Sequence, residues 1–134
     1  MIVFAFITFA LLQLSNQQTV EQLVGSYVKL IEPVQADCIK ESGVDPSVIE
    51  KEVSLGRPSE DPKSKCFWKC FLKKNNAIND NDEIQEENLK QIIAAPLVAG
   101  VYKKCAALRG SDSCDTADKI SKCIYGSTKA AILN

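Results

Sequence analysis

Six cysteines, at positions 38, 66, 70, 105, 114 and 123, are the residues of this 134-residue chain with most chemistry to offer. In the stretch KCFWKC, residues 65–70, Cys66 and Cys70 stand at i and i+4, so on a helix both point to one face. Such a pair could be a redox couple, half of a metal site, or two staples to different parts of the chain. Bridging the two to each other is awkward, because their Cα–Cβ bonds run nearly parallel where a disulfide needs facing vectors. A redox couple normally has two intervening residues beside a sheet, whereas this pair has three on an expected helix. A zinc site wants further cysteine or histidine at short spacing. Cys105, Cys114 and Cys123 are instead spread with eight residues in each gap. Two staples to different segments is the favoured reading, with no metal ion and no cofactor.

The chain contains no histidine. That excludes Ser-His and Cys-His catalysis, histidine metal ligation and a histidine pH switch. No catalytic residue is assigned, and the chain is not expected to be an enzyme. A Ca²⁺ loop is excluded as well: NDNDE (79–83) resembles half of one, but Ile84 stands where glycine is needed and Lys90 where the bidentate glutamate belongs. It reads as a helix-capping turn. Lys65, Lys69 and Lys73 form a basic stripe that reads as a solvated helix face, offset by the acidic stretch from Asp80 to Glu87.

The rest of the composition sets the context of those cysteines. With 16 basic and 17 acidic residues the net charge is −1, which gives no general attraction to nucleic acid or anionic lipid. The first charged residue is Glu21, and Ile2–Leu12 is an unbroken apolar run followed by LSNQQ. Eleven residues at about 1.5 Å each cannot span a bilayer core of about 30 Å, so stable membrane insertion is not expected. The run has the length and flank of a secretory signal, although its basic start is missing apart from the terminal amine, and the competing reading is a buried N-terminal helix. Residues 1–17 are therefore read as a signal peptide and 18–134 as one secreted, extracellular domain. An even cysteine count in a small secreted chain reads as a disulfide framework.

Helix signals recur along the domain. Thr19-Val20-Glu21-Gln22 fits a capping box, after which Leu23, Tyr27, Leu30, Ile31 and Val34 follow at helical spacing to about Cys38. Pro33 should kink or end that helix, and Gly43 is a stop. Asp45-Pro46 and Asp61-Pro62 start the second and third helices by the same device, aspartate as N-cap and proline at the first position. Asp82 with Gln85 caps a fourth, Pro96 opens a fifth that stops at Gly110, and SDSCD (111–115) caps a sixth. No run alternates strictly enough to argue for a sheet, so the fold class is all-α. Helices this short are marginal alone and gain from covalent staples.

Taken in order, the cysteines are separated by 27, 3, 34, 8 and 8 residues. That pattern, with CIKESGVDPSVIE followed by GRPSEDPKSKCFWKC, resembles the insect odorant-binding proteins of the six-cysteine pheromone/general odorant type, across essentially the whole mature chain. The resemblance implies a six-helix, disulfide-stapled domain enclosing an apolar cavity. It also implies the pairing Cys38–Cys70, Cys66–Cys114 and Cys105–Cys123, since sequence alone leaves many connectivities open. The implied partner is a small hydrophobic molecule such as an odorant or pheromone, with an odorant receptor as a further partner and a monomer or weak homodimer as the working state.

Apolar helix faces supply the expected lining of such a cavity. Tyr27 and Ile31 would come from the first helix, Phe71 from the third, and Leu89, Ile92 and Ile93 from the fourth. Val98, Val101 and Tyr102 would come from the fifth, Ile120, Ile124 and Tyr125 from the sixth, with Ile132 and Leu133 as a C-terminal plug. Tyr102 and Tyr125 are the better candidates for a polar contact, since a buried phenol seeks a partner. Trp68, at about 200° from Cys66 on a helical wheel, should lie away from the staples, partly exposed or at the pocket rim. Without histidine, any pH response falls to carboxylates such as Asp115, Asp118 or the terminal carboxyl, and affinity should change little between about pH 7 and 6. Two other classes compete. A saposin-like membrane-active protein favours C-x2-C ends in a shorter chain, and a secreted phospholipase would need histidine.

Overall fold

The computed structural model describes the backbone of residues 2–133 and the side chains of residues 21–133. Its elements are α1 (Ile2–Ser42), α2 (Pro46–Leu55), α3 (Pro62–Lys74), a 3-10 helix Glu86–Gln91, a 3-10 turn Ala95–Leu97 that runs straight into α4 (Val98–Cys105), and α5 (Ser113–Leu133). Among the described residues these form six helical segments and no strand, with one isolated antiparallel bridge between Ile78 and Ile84. The expected signal segment, residues 1–17, and the side chain of Thr19 lie outside the residues described with side chains.

Two helices begin where Asp-Pro predicts. Asp45 and Asp61 accept from the backbone N–H of Ser47 and Lys63 at 2.9 and 3.0 Å, satisfying amides that have no partner within the helix. Gly43 (φ +73°) and Gly56 (φ +63°) close α1 and α2 in the left-handed region that side chains disfavour.

Elsewhere tertiary structure overrides local signals. α1 starts upstream of Thr19 and runs through Pro33 to Ser42 without stopping. An interior proline costs about 3 kcal/mol. Packing of α1 on α3 and α5, together with the Cys38–Cys70 bridge, holds the far turns against that cost. The fourth helix is a 3-10 segment, and Asp82 with Gln85 does not cap it: Gln85 makes no side-chain cap bond. Asp82 sits at φ +59° and accepts from Ser113 Oγ at 2.6 Å, while Asn79 Oδ1 closes the turn on the N–H groups of Asn81 and Glu83. NDND is thus a loop tied to the start of α5. α4 ends at Cys105, so Gly110 is not its stop. A Cβ at Gly110 would stand 2.7 Å from the backbone carbon of Asp115, and glycine is there because the chain passes too close for anything larger.

α3 is the central element. Phe67, Trp68, Cys70, Phe71 and Leu72 are all buried, packed against α1 and α5. Each full burial of such an apolar side chain contributes about 1.5–3 kcal/mol. Bridges run Cys38–Cys70, Cys66–Cys114 and Cys105–Cys123, joining α1 to α3, α3 to α5, and α4 to α5. α2 carries no cysteine.

Candidate ligand-binding site

A cavity of about 250 Å³ lies where α1, α2, α3 and α5 meet, lined by Tyr27, Glu52, Val53, Gly56, Pro58, Trp68, Ser121, Lys122, Tyr125 and Gly126. It is mostly apolar and part-open to solvent. Three aromatics frame it, one each from α1, α3 and α5. Tyr27 packs edge-on to Tyr125 with ring centroids 5.0 Å apart and stacks toward Phe71 at 6.2 Å. Trp68 stands edge-on to Phe67 and Phe71. Only 6% of Trp68 is exposed, so it is buried at the cavity wall. Burial, reinforced by the neighbouring Tyr125, pushes the Tyr27 phenol far above its ordinary pKa, so it stays neutral.

One edge of the cavity is polar. Glu52, from α2, accepts the indole N–H of Trp68 at 2.6 Å and the hydroxyl of Ser64. Partial burial pushes the Glu52 carboxyl up, against the two hydrogen bonds that pull it down; Asp118 adds to the rise and Lys122 opposes it. Lys122 pairs with Asp118 at 2.8 Å, and the Asp118 side chain is only 3% exposed. Asp118 Oδ1 has no partner among the described residues. Residues 118, 121, 122 and 125 share one face of α5, which brings Ser121, Lys122 and Tyr125 to the cavity wall with Asp118 buried beside Lys122.

Asp115 has a different role. It accepts from the backbone N–H of Ser111 at 2.8 Å and pairs with Lys65 at 2.9 Å and Lys119 at 3.6 Å. The Ser111 amide first, then Lys65, hold its carboxyl well below the usual range. Lys65 therefore belongs to an α3–α5 ion pair rather than to a free basic stripe, and Lys73 pairs with Asp80 at 3.1 Å.

Of the lining expected from the sequence, the structure brings Tyr27 and Tyr125 to the cavity. Ile31 instead lines a second groove of about 280 Å³ between α1 and α2, which shares Val53 with the first. Phe71, Leu89, Ile92, Ile93, Val101, Ile120 and Ile124 are buried in the continuous core, with Val98, Tyr102 and Ile132 packed at its margin. α5 continues to Leu133, which is 64% exposed, so the tail is the last turn of a helix rather than a separate plug. The apolar faces of short helices meet one another first, and the space left over falls where α2 stands off from α5. Glu52, Val53, Lys122 and the Gly56–Pro58 loop were not anticipated. The helical spacing of 121, 122 and 125 was the available signal for the α5 wall.

Comparison with known proteins places this architecture. Residues 20–127 match the model of the PBP/GOBP family, and the chain belongs to that family. General odorant-binding protein 69a of Drosophila melanogaster is 26% identical over 99 residues, covering 72% of this chain and 67% of that protein. The crystal structure of the medfly odorant-binding protein CcapOBP22/CcapOBP69a superposes with a TM-score of 0.63 at 25% identity, covering 75% of this chain and 90% of that one. The fatty acid binding protein OBP56a from the oral disk of the blowfly Phormia regina superposes with a TM-score of 0.60, also at 25% identity, covering 82% of this chain and 94% of that one.

Proposed function

We propose that the protein is a secreted carrier that takes a small hydrophobic molecule, such as an odorant, a pheromone or a similar semiochemical, into the cavity between α1, α2, α3 and α5 and keeps it dissolved in water. The observation that carries this reading is the apolar recess framed by Tyr27, Trp68 and Tyr125 inside a disulfide-linked frame of helices. Burying apolar ligand surface is favoured by about 25 cal/mol per Å², so a few hundred Å² supports binding near the micromolar range. No reacting group is required for that work. The blowfly relative named as a fatty acid binding protein supports the choice of an apolar ligand.

Secretion is proposed from the apolar run at residues 2–12, with cleavage near residue 17 leaving the helical domain. Native mass spectrometry of the protein recovered from culture medium tests the whole reading at once. The expected spectrum shows a chain beginning near residue 18, monomeric or weakly dimeric, with a small molecule retained. A protein that retains nothing, takes up no apolar probe and instead causes liposome leakage would overturn the carrier reading.

A further inference from the structure

The polar edge of the cavity narrows the class of ligand, an inference that rests on the carrier reading. We propose that the cavity takes a molecule with a single-ring apolar body and an ammonium head, the head held at the Glu52 carboxylate beside the aromatic walls of Tyr27, Trp68 and Tyr125.

Size comes first. A dry cavity of about 150 Å³ is enough for benzene. One of about 250 Å³ accommodates a ring with a short side chain. Charge comes next. The lining carries the Glu52 carboxylate and the Lys122 ammonium, and that ammonium is already paired at 2.8 Å with Asp118, a buried carboxylate outside the lining. A ligand carboxylate would become the third anion around one cation. A ligand ammonium would instead restore the balance.

Hydrogen-bonding capacity points the same way. An ionised carboxylate offers about four acceptor sites. Ser64 and Trp68 occupy two of those on Glu52, leaving about two for a head group, while the hydroxyls of Tyr27, Ser121 and Tyr125 in the lining can donate as well as accept. Asp118, which does not line the cavity, holds the Lys122 ammonium and so leaves Glu52 as the unneutralised charge of the lining. Aromatic walls beside a carboxylate are also a favourable setting for a cation.

Isothermal titration calorimetry on the disulfide-bonded protein at neutral pH, with 2-phenylethylamine, 2-phenylethanol, 3-phenylpropanoate and ethylbenzene, separates body from head. The amine should bind about tenfold or more tighter than the acid, with the alcohol between them. Glu52→Gln should shrink the amine-to-acid ratio toward one. Lys122→Gln should widen it, so the assignment remains testable if the Glu52 variant does not fold. An acid that binds as tightly as the amine, or a ratio unchanged in both variants, overturns the assignment. Ethylbenzene reads the carrier proposal separately. Its uptake without any gain for the amine overturns the ammonium head and leaves the carrier standing, whereas failure of all four ligands overturns both.

Discussion

The indole N–H of Trp68 donates to the Glu52 carboxylate at 2.6 Å, and this bond ties α2, which carries no cysteine, to the disulfide-pinned α3. Trp68→Phe keeps an aromatic at the cavity wall but leaves that carboxylate oxygen without its donor. A part-buried polar group deprived of its partner costs about 1–3 kcal/mol, so urea denaturation followed by circular dichroism should show a loss in that range. An unchanged midpoint would mean the α2–α3 tie contributes nothing.

The same position gives the cavity a built-in reporter. Trp68 is the only tryptophan in the chain and lines the cavity wall. A bound ring against the indole should therefore change the intensity or wavelength of its emission, saturating at the calorimetric affinity. Emission that stays constant at full occupancy would place the ligand elsewhere, the Ile31 groove being the first alternative.

Two carboxylates should pull stability in opposite directions with pH. Glu52 has a folded pKa raised from its ordinary 4.5, chiefly by burial, so its contribution is complete below that value and is lost as pH rises through the raised one. Asp115 has a folded pKa lowered from 3.8, so its contribution is present above that value and is lost as pH falls through the lowered one. The groups facing Glu52 are Ser64 and Trp68 from α3 and Asp118 and Lys122 from α5. Thermal midpoints measured across the acid range should show Glu52→Gln flattening the decline from mildly acidic toward neutral pH. Asp115→Asn should lower the neutral midpoint and make the acid limb shallower. A Glu52→Gln profile parallel to the parent above about pH 4.5 contradicts the assignment for Glu52.

Gly110 makes a sharper test of packing. Its missing side chain is where Asp115 passes, on the way to the Ser111 amide and Lys65. Gly110→Ala forces either the loop or Asp115 to move, an overpacking change of about 1–3 kcal/mol. In a double-mutant cycle, Gly110→Ala should cost less in an Asp115→Ala background than in the parent, because the carboxylate is gone while the backbone contact stays. An equal cost in both backgrounds would assign the whole of it to the backbone.

How much of this was legible in the sequence depends on the range of the cause. The starts at Asp45-Pro46 and Asp61-Pro62 and the stop at Gly43 are local, set by caps and dihedral preference, and they appear where the residues indicate. Pro33 and the Asp82–Gln85 pair carry equally local signals that lose to distant partners, the Cys38–Cys70 bridge in one case and Ser113 in the other. The cysteine pairing was available through family resemblance and not from spacing. Apolar periodicity marked Phe71, Ile120 and Ile124 as inward-facing but could not tell packed core from cavity wall, since both faces read alike. The polar edge was hidden because Glu52, Ser64 and Lys122 look like ordinary surface residues until α2 folds against α3 and α5.

The disulfides should rank by the loop each closes. Cys105–Cys123 spans 18 residues, Cys38–Cys70 spans 32 and Cys66–Cys114 spans 48. Chain-entropy arithmetic then gives about 3 kcal/mol for the shortest and about 4 kcal/mol for the longest. Against a total stability of about 5–15 kcal/mol, loss of any one is severe but need not abolish the fold. Paired serine substitutions, one bridge at a time, followed by urea denaturation should therefore show losses in that order. The functional readout separates them further. Cys66–Cys114 joins α3 to the start of α5, the two elements that carry Trp68 and the Ser121–Tyr125 wall, so removing it should weaken ligand affinity beyond what partial unfolding explains. Cys105–Cys123 ties α4 to α5 through residues that do not line the cavity, and its removal should lower stability with affinity held in the fraction that remains folded. An affinity loss as large for the second variant as for the first, after correction for unfolded protein, would show that the α3–α5 wall is not held in place by its bridge.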